Sequence, residues 1–198
     1  MKLQFSHQDF QTKAVQSVVS VFDGQPLTSQ EFGLIGESDG VEYGVDGSIG
    51  NSLHISEEQL LRNVQAVQKA NGLAPSATLV PSISESGNEE EVFCPFNFTI
   101  EMETGTGKTY TYIKTIYELN KLYGFRKFVV VVPSVAIREG TVKNLEITRH
   151  HFAADYANVP LLSVLYDSGK LTELRHFAQC DALSVLVINI DSFTKDSK

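Results

Sequence analysis

Asn97-Phe98-Thr99-Ile100-Glu101-Met102-Glu103-Thr104-Gly105-Thr106-Gly107-Lys108-Thr109 runs from an apolar-alternating segment through a glycine-rich turn to a lysine and a hydroxyl that open a helical pattern. This is the layout of a phosphate-binding loop. A nucleoside triphosphate brings several negative charges, and backbone N–H groups at a helix N-terminus, where the dipole also favours anions, answer them at low cost. Gly105 and Gly107 let the backbone approach closely. Lys108 reaches the β and γ phosphates as a point charge, and the Thr109 hydroxyl is placed to ligate Mg²⁺. The strict pattern G-x-x-x-x-G-K-[ST] is not met, because Met102 stands where its first glycine belongs.

Downstream, Tyr112, Ile113, Ile116, Leu119 and Tyr123 recur at helical spacing up to Gly124. Lys127-Phe128-Val129-Val130-Val131-Val132-Pro133 is then a continuous β-branched run of the kind buried on both faces of a parallel sheet. A helix from Ala136 to about Tyr156 follows, then a strand over Leu161–Tyr166, the turn Asp167-Ser168-Gly169, a short helix through Leu174 and Phe177, and a strand over Leu183–Ile190. Alternating strands and helices predict a parallel α/β sheet with its ligand at the carboxyl ends of the strands.

Upstream, Ser6-His7-Gln8-Asp9 reads as a capped start for a helix carrying Phe10, Ala14, Val15, Val18, Val19 and Phe22. Gln11 sits beside Phe10, and a glutamine amide can donate and accept at once, matching the N6/N7 edge of adenine while a nearby ring supports the base. Residues 24 to 55 read as turns and short edge strands around Val41–Val45. Ser56-Glu57-Glu58-Gln59 is a capping box opening a helix with Leu60, Leu61, Val64 and Val67 inward, ending near Asn71-Gly72. Residues 73 to 88 read as loop, and Glu89-Glu90-Glu91 as a solvated charge run.

Composition narrows the function classes. The apolar share of 42% in 198 residues is that of a globular chain. No apolar run approaches the roughly 20 residues of a membrane span, and the start Met-Lys-Leu-Gln-Phe-Ser is not a signal peptide, so a cytoplasmic protein with no membrane partner is expected. Cys94 and Cys180 lie far apart with no C-x-x-C, pointing to neither zinc nor disulfide. His150 and His151 read as solvated helix-end residues. The net charge of −8 argues at first against nucleic acid, yet residues 1 to 98 carry 4 Lys/Arg against 13 Asp/Glu (net −9) and residues 99 to 198 carry 12 against 11 (net +1). The second half is therefore not barred from a phosphate backbone.

Phe10-Gln11, Glu101 to Tyr110, and Phe128-Val129-Val130-Val131-Val132-Pro133-Ser134-Val135-Ala136-Ile137-Arg138-Glu139-Gly140 together resemble the restriction (Res) subunit of type III restriction enzymes, within helicase superfamily 2. The similarity continues through Asn144–Thr148 and Asn189–Phe193, and Met102 in place of glycine fits that variant of the loop. The resemblance implies a RecA-like parallel sheet with flanking helices, the first motor lobe, truncated. Residues 1–23 would be its adenine-motif helix, 24–92 an acidic, partly irregular insertion, and 93–198 the lobe carrying the phosphate loop. Phe10, Gln11, Thr104, Gly105, Thr106, Gly107, Lys108, Thr109 and Tyr110 would bind ATP, with Lys108 and Thr109 catalytic and Thr109 on Mg²⁺. Pro133, Ser134 and Arg138 would touch the DNA backbone, and Asn189 to Phe193 would form the next DNA-contacting motif. Partners implied are double-stranded DNA and a modification (methyltransferase) subunit.

A motor of this kind needs an acidic pair after a strand, one carboxylate on Mg²⁺ and one orienting the attacking water. Asp191 follows a strand but precedes Ser192, so it is read as a decoy and the fragment as a nucleotide binder without turnover. Two other classes stay open: a small phosphotransferase using Lys108 and Asp191, and a non-catalytic scaffold with a vestigial loop. Lys108-dependent turnover would favour the first, and absence of Lys108-dependent binding the second.

Overall fold

The computed structural model describes residues 7–27, 47–80, 82–86, 89–94 and 96–194; of 82–86, 89–94 and 193–194 it describes the backbone alone. The chain divides into two compact units, one formed by the described residues of 26–54 and 109–198, the other by those of 7–25 and 55–108.

The first unit is an α/β layer, as the alternation of patterns predicts. Its elements are α3 (Lys108–Tyr123), β3 (Lys127–Val132), α4 (Val135–Asp155), β4 (Leu162–Leu165), α5 (Leu171–Gln179), β5 (Ser184–Asn189) and the short α6 (Asp191–Thr194). The three strands form one parallel sheet in the order β3-β5-β4, with Val130 opposite Val187 and Val164 opposite Leu186. This is the arrangement of a RecA-like lobe: a parallel sheet with flanking helices. α4 packs across all three strands, and α5 against β4 and β5.

The core follows from the helical spacing of α3. Ile113, Ile116 and Tyr117 meet Leu145, Phe152 and Tyr156, and beneath them lie Leu161, Leu183, Val185 and Val187. Tyr117 stacks between Phe152 and Tyr156, with ring centroids 5.2 and 4.9 Å away. Gly124 closes α3 with a φ of +74°, a left-handed conformation that glycine adopts at no steric cost.

β3 departs from its expected burial. Its valine run is parallel and paired, but Val129 and Val131 are 56% and 49% exposed. β3 is an outer strand: one face, with Phe128 and Val130, rests on the core, while the other has no cover among the described residues. The strand buried on both faces is the central one, β5.

The second unit contains α1 (Asp9–Val19), a 3₁₀ turn (Ser20–Phe22) and α2 (Glu57–Ala70). α1 is capped at Gln8, whose side chain makes no cap bond; Ser6, the expected cap, lies outside the described residues. Of the expected capping box only the Ser56 half is formed, its hydroxyl accepting from the Gln59 N–H at 3.2 Å, while the Gln59 side chain turns to Asn63 and Arg62. Leu60 is fully buried, but the other inward side chain of α2 is Asn63, a polar residue that apolar periodicity passes over. Residues 73 to 88 are not all loop, since β1 (Ser82–Ser86) and β2 (Glu89–Cys94) form an antiparallel hairpin that takes in the acidic run. The strands expected around Val41–Val45 lie outside the described residues.

Candidate nucleotide-binding site

The apolar-alternating run before the loop does not form a strand: residues 96–103 carry no regular structure, and Phe98 and Ile100 stand 42% and 51% exposed. The loop itself turns through Gly105 and Gly107 at φ of +81° and +83°, which explains why glycine occupies both positions. It then enters α3 at Lys108, so the N–H groups of the first helical turn, which lack intrahelical partners, face the loop end of the helix.

The Glu103 carbonyl organises the loop. It accepts from the Thr106 hydroxyl at 2.7 Å and from the Lys108 ammonium at 2.8 Å. Sequence reasoning missed this group because a backbone carbonyl leaves no mark in residue type. Gln11, on α1, donates its amide to the Thr106 carbonyl at 2.8 Å across 95 residues of chain. Phe10 beside it is 49% exposed. The structure thus joins Gln11, Thr106 and Lys108 in one unit through three hydrogen bonds. Thr104, Gly105 and Gly107 complete the turn.

Thr109 and Tyr110 occupy the first turn of α3. The Tyr110 hydroxyl lies 2.8 Å from His151 Nε2 on α4, and its ring 5.1 Å from that of Phe152. Burial, and then the negative charge of Asp155, push the Tyr110 phenol above its ordinary range. His151 is correspondingly not a solvated helix-end residue: it lies against Tyr110 and 3.8 Å from the Asp155 carboxylate, whereas His150 is exposed. No sequence signal couples residues 41 positions apart.

Pro133 and Ser134 leave β3 at the carboxyl edge of the sheet. Val132 pairs with Asn189, and the Ile190 N–H donates to the Val132 carbonyl at 2.9 Å, so Pro133-Ser134 and Ile190-Asp191 emerge side by side. Ser134 caps α4, its hydroxyl accepting from the Ile137 N–H at 3.3 Å. Arg138, in the first turn of α4, has its Nη2 3.2 Å from Glu139, while its Nε is buried without a hydrogen-bond partner. Asp191 opens α6 directly after β5 and exchanges hydrogen bonds with Asn189. Among the described residues no helix is long and apolar enough to cross a membrane.

The family described as type III restriction enzyme, res subunit, matches residues 52–198. The chain is similar to the EcoP15I Res subunit of Escherichia coli, with 42% identity over 106 residues, covering 52% of this chain and 10% of that protein. It is also similar to the EcoPI Res subunit of Escherichia phage P1, with 36% identity over 110 residues, 54% of this chain and 10% of that one. The StyLTI Res subunit of Salmonella typhimurium is 48% identical over 75 residues, 37% of this chain and 8% of its own length. The chain therefore spans about a tenth of the length of these curated relatives. With a family match over most of its length and the phosphate loop inside that match, the chain belongs to the Res-subunit family of type III restriction enzymes.

Proposed function

We propose that these residues are the ATP-binding part of the ATP-dependent DNA translocase motor of a type III restriction endonuclease, acting with a modification subunit on double-stranded DNA. The observation that carries the reading is the bond from Gln11 to the Thr106 carbonyl. It brings an adenine-reading amide onto the loop that holds a triphosphate, which neither a bare glycine loop nor an isolated glutamine would supply.

In this reading Lys108 exchanges the Glu103 carbonyl for phosphate oxygens, and the Thr109 hydroxyl becomes a ligand of Mg²⁺. Mg²⁺ held there would neutralise charge on the phosphates. Phe10, exposed on α1, supports the base. Ser134 and Arg138 supply a hydroxyl and a partly exposed guanidinium charge at a helix start, a setting that suits a DNA phosphate. The names of the similar proteins, all Res subunits of restriction-modification enzymes, support the DNA and the modification subunit as partners.

The test is titration of the protein with a fluorescent ATP analogue and Mg²⁺, beside Lys108→Ala and Gln11→Ala. Lys108→Ala should lose binding of every nucleoside triphosphate. Gln11→Ala should weaken ATP by about tenfold and GTP far less, since only adenine loses its paired contacts. Undiminished binding by Lys108→Ala would remove the reading.

A further inference from the structure

The first two turns of α3 hold α4 at two points. Tyr110 meets His151 at 2.8 Å, and Tyr112 donates its hydroxyl to Thr141 Oγ1 at 3.3 Å. Thr141 is buried, at 3% exposure. Residues three apart on a helix lie on one face. Thr109 and Tyr112 therefore share a face of α3, and Arg138 and Thr141 share a face of α4. The residue assigned to Mg²⁺ and the residue assigned to a DNA phosphate each sit about one turn from an end of the same hydroxyl pair.

Beneath these bonds the helices meet through rings, Tyr110 on Phe152 and Tyr117 on Phe152 and Tyr156. Phenylalanine would fill the space of Tyr112 equally well, so its hydroxyl contributes direction rather than volume. Close-packed interfaces of this kind shift between discrete arrangements rather than deform smoothly. A displacement of the first turn of α3 is then passed to α4 as a body.

We propose that Tyr112 and Thr141, with Tyr110 and His151 as a second pin, are positioning residues that couple triphosphate occupancy at the start of α3 to the placement of Arg138 at the start of α4. This rests on the nucleotide and DNA reading above. Coupling of this kind is reciprocal: if DNA seats Arg138, it tightens nucleotide through the same contacts.

The experiment measures the affinity of the full-length subunit for a fluorescent ATP analogue, with and without saturating double-stranded DNA, in the wild type, Tyr112→Phe, Thr141→Val and Thr141→Ser. Without DNA, the four should bind nucleotide alike. With DNA, the tightening shown by the wild type should fall about fivefold, equivalent to about 1 kcal/mol, in Tyr112→Phe and Thr141→Val, and return in Thr141→Ser, which keeps the hydroxyl. A merely structural role would lower affinity equally in both conditions, and that result overturns the proposal. So does an intact DNA response in Tyr112→Phe and Thr141→Val, which leaves the nucleotide reading standing. A wild type that binds nucleotide but ignores DNA overturns the coupling alone, and one that binds no nucleotide removes the reading beneath it as well.

Discussion

The Asn63 amide donates to two backbone carbonyls at once, Val21 at 3.0 Å and Asp23 at 2.8 Å, and so stitches α2 to the turn that ends α1. Asn63 is 8% exposed, and its own carbonyl oxygen is satisfied by the Gln59 amide at 2.7 Å. Asn63→Leu would take this donor from both carbonyls, the buried one of Val21 and the part-buried one of Asp23, and a lost partner in a buried setting costs about 1–3 kcal/mol. We expect a loss of about 2–4 kcal/mol in chemical denaturation, well above the cost of an exposed polar substitution. A loss below about 0.5 kcal/mol would show that the two carbonyls find water instead.

Phe152 is fully buried, with Tyr110, Tyr117, His151 and Tyr156 around its ring. Its removal leaves a cavity at the junction of α3, α4 and the sheet. Phe152→Ala is expected to cost about 3–5 kcal/mol, and Phe152→Leu under about half of that, because leucine refills much of the space. Thermal unfolding of the pair distinguishes a packing role from general sensitivity of the helix.

What the residues disclosed in advance depended on the range of the interaction. α3, α4 and the parallel strands were legible because spacing, capping hydroxyls and β-branched runs act locally. Glu103, His151 and Asn63 were not legible. Glu103 works through its backbone carbonyl, His151 through a tyrosine 41 residues away, and Asn63 is a polar group buried by tertiary context. The burial of β3 is not legible for a related reason: a valine run shows that a strand is apolar, but its place at the edge or the centre of a sheet depends on which strands pair with it. The hairpin β1–β2 was hidden because three consecutive glutamates read as solvated, although backbone pairing does not require apolar side chains.

Ser134 has two separable roles. As the N-cap of α4 it accepts from Ile137, and Ser134→Ala should cost about 1 kcal/mol of stability. Aspartate is an equally good cap, so Ser134→Asp should retain that stability. If the hydroxyl also meets a DNA phosphate, the added carboxylate repels it, and Ser134→Asp should bind DNA worse than Ser134→Ala in a fluorescence anisotropy titration of the full-length subunit. Equal DNA affinity in the two variants would leave Ser134 with its capping role alone.

Cys180 lies between Lys127 and Ser184, its Sγ 3.2 Å from the Lys127 ammonium and 3.3 Å from the Ser184 hydroxyl. Burial opposes ionisation of the thiol, but its hydrogen bonds with Ser184, Lys127 and the Ala182 backbone, together with the Lys127 charge, outweigh it and hold the group below the ordinary thiol range. Lys127 is itself fixed, donating to the Cys180 carbonyl and lying 5.3 Å from the Phe177 ring centroid. A native pKa below the unfolded one means the thiolate contributes stability above the ordinary thiol range, and this contribution fades as pH falls through the native value. Relative to Cys180→Ser, the protein should therefore gain stability as pH rises from neutral past that range. At neutral pH the lowered pKa raises the thiolate fraction, so iodoacetamide should alkylate Cys180, followed by peptide mass, faster than it alkylates a free cysteine. Lys127→Met removes both the charge and the donor, and should slow that alkylation severalfold while leaving unchanged the bonds from the Arg126 and Lys127 N–H groups to Asn51. Alkylation that is unchanged in Lys127→Met would mean that the ammonium does not ionise the thiol.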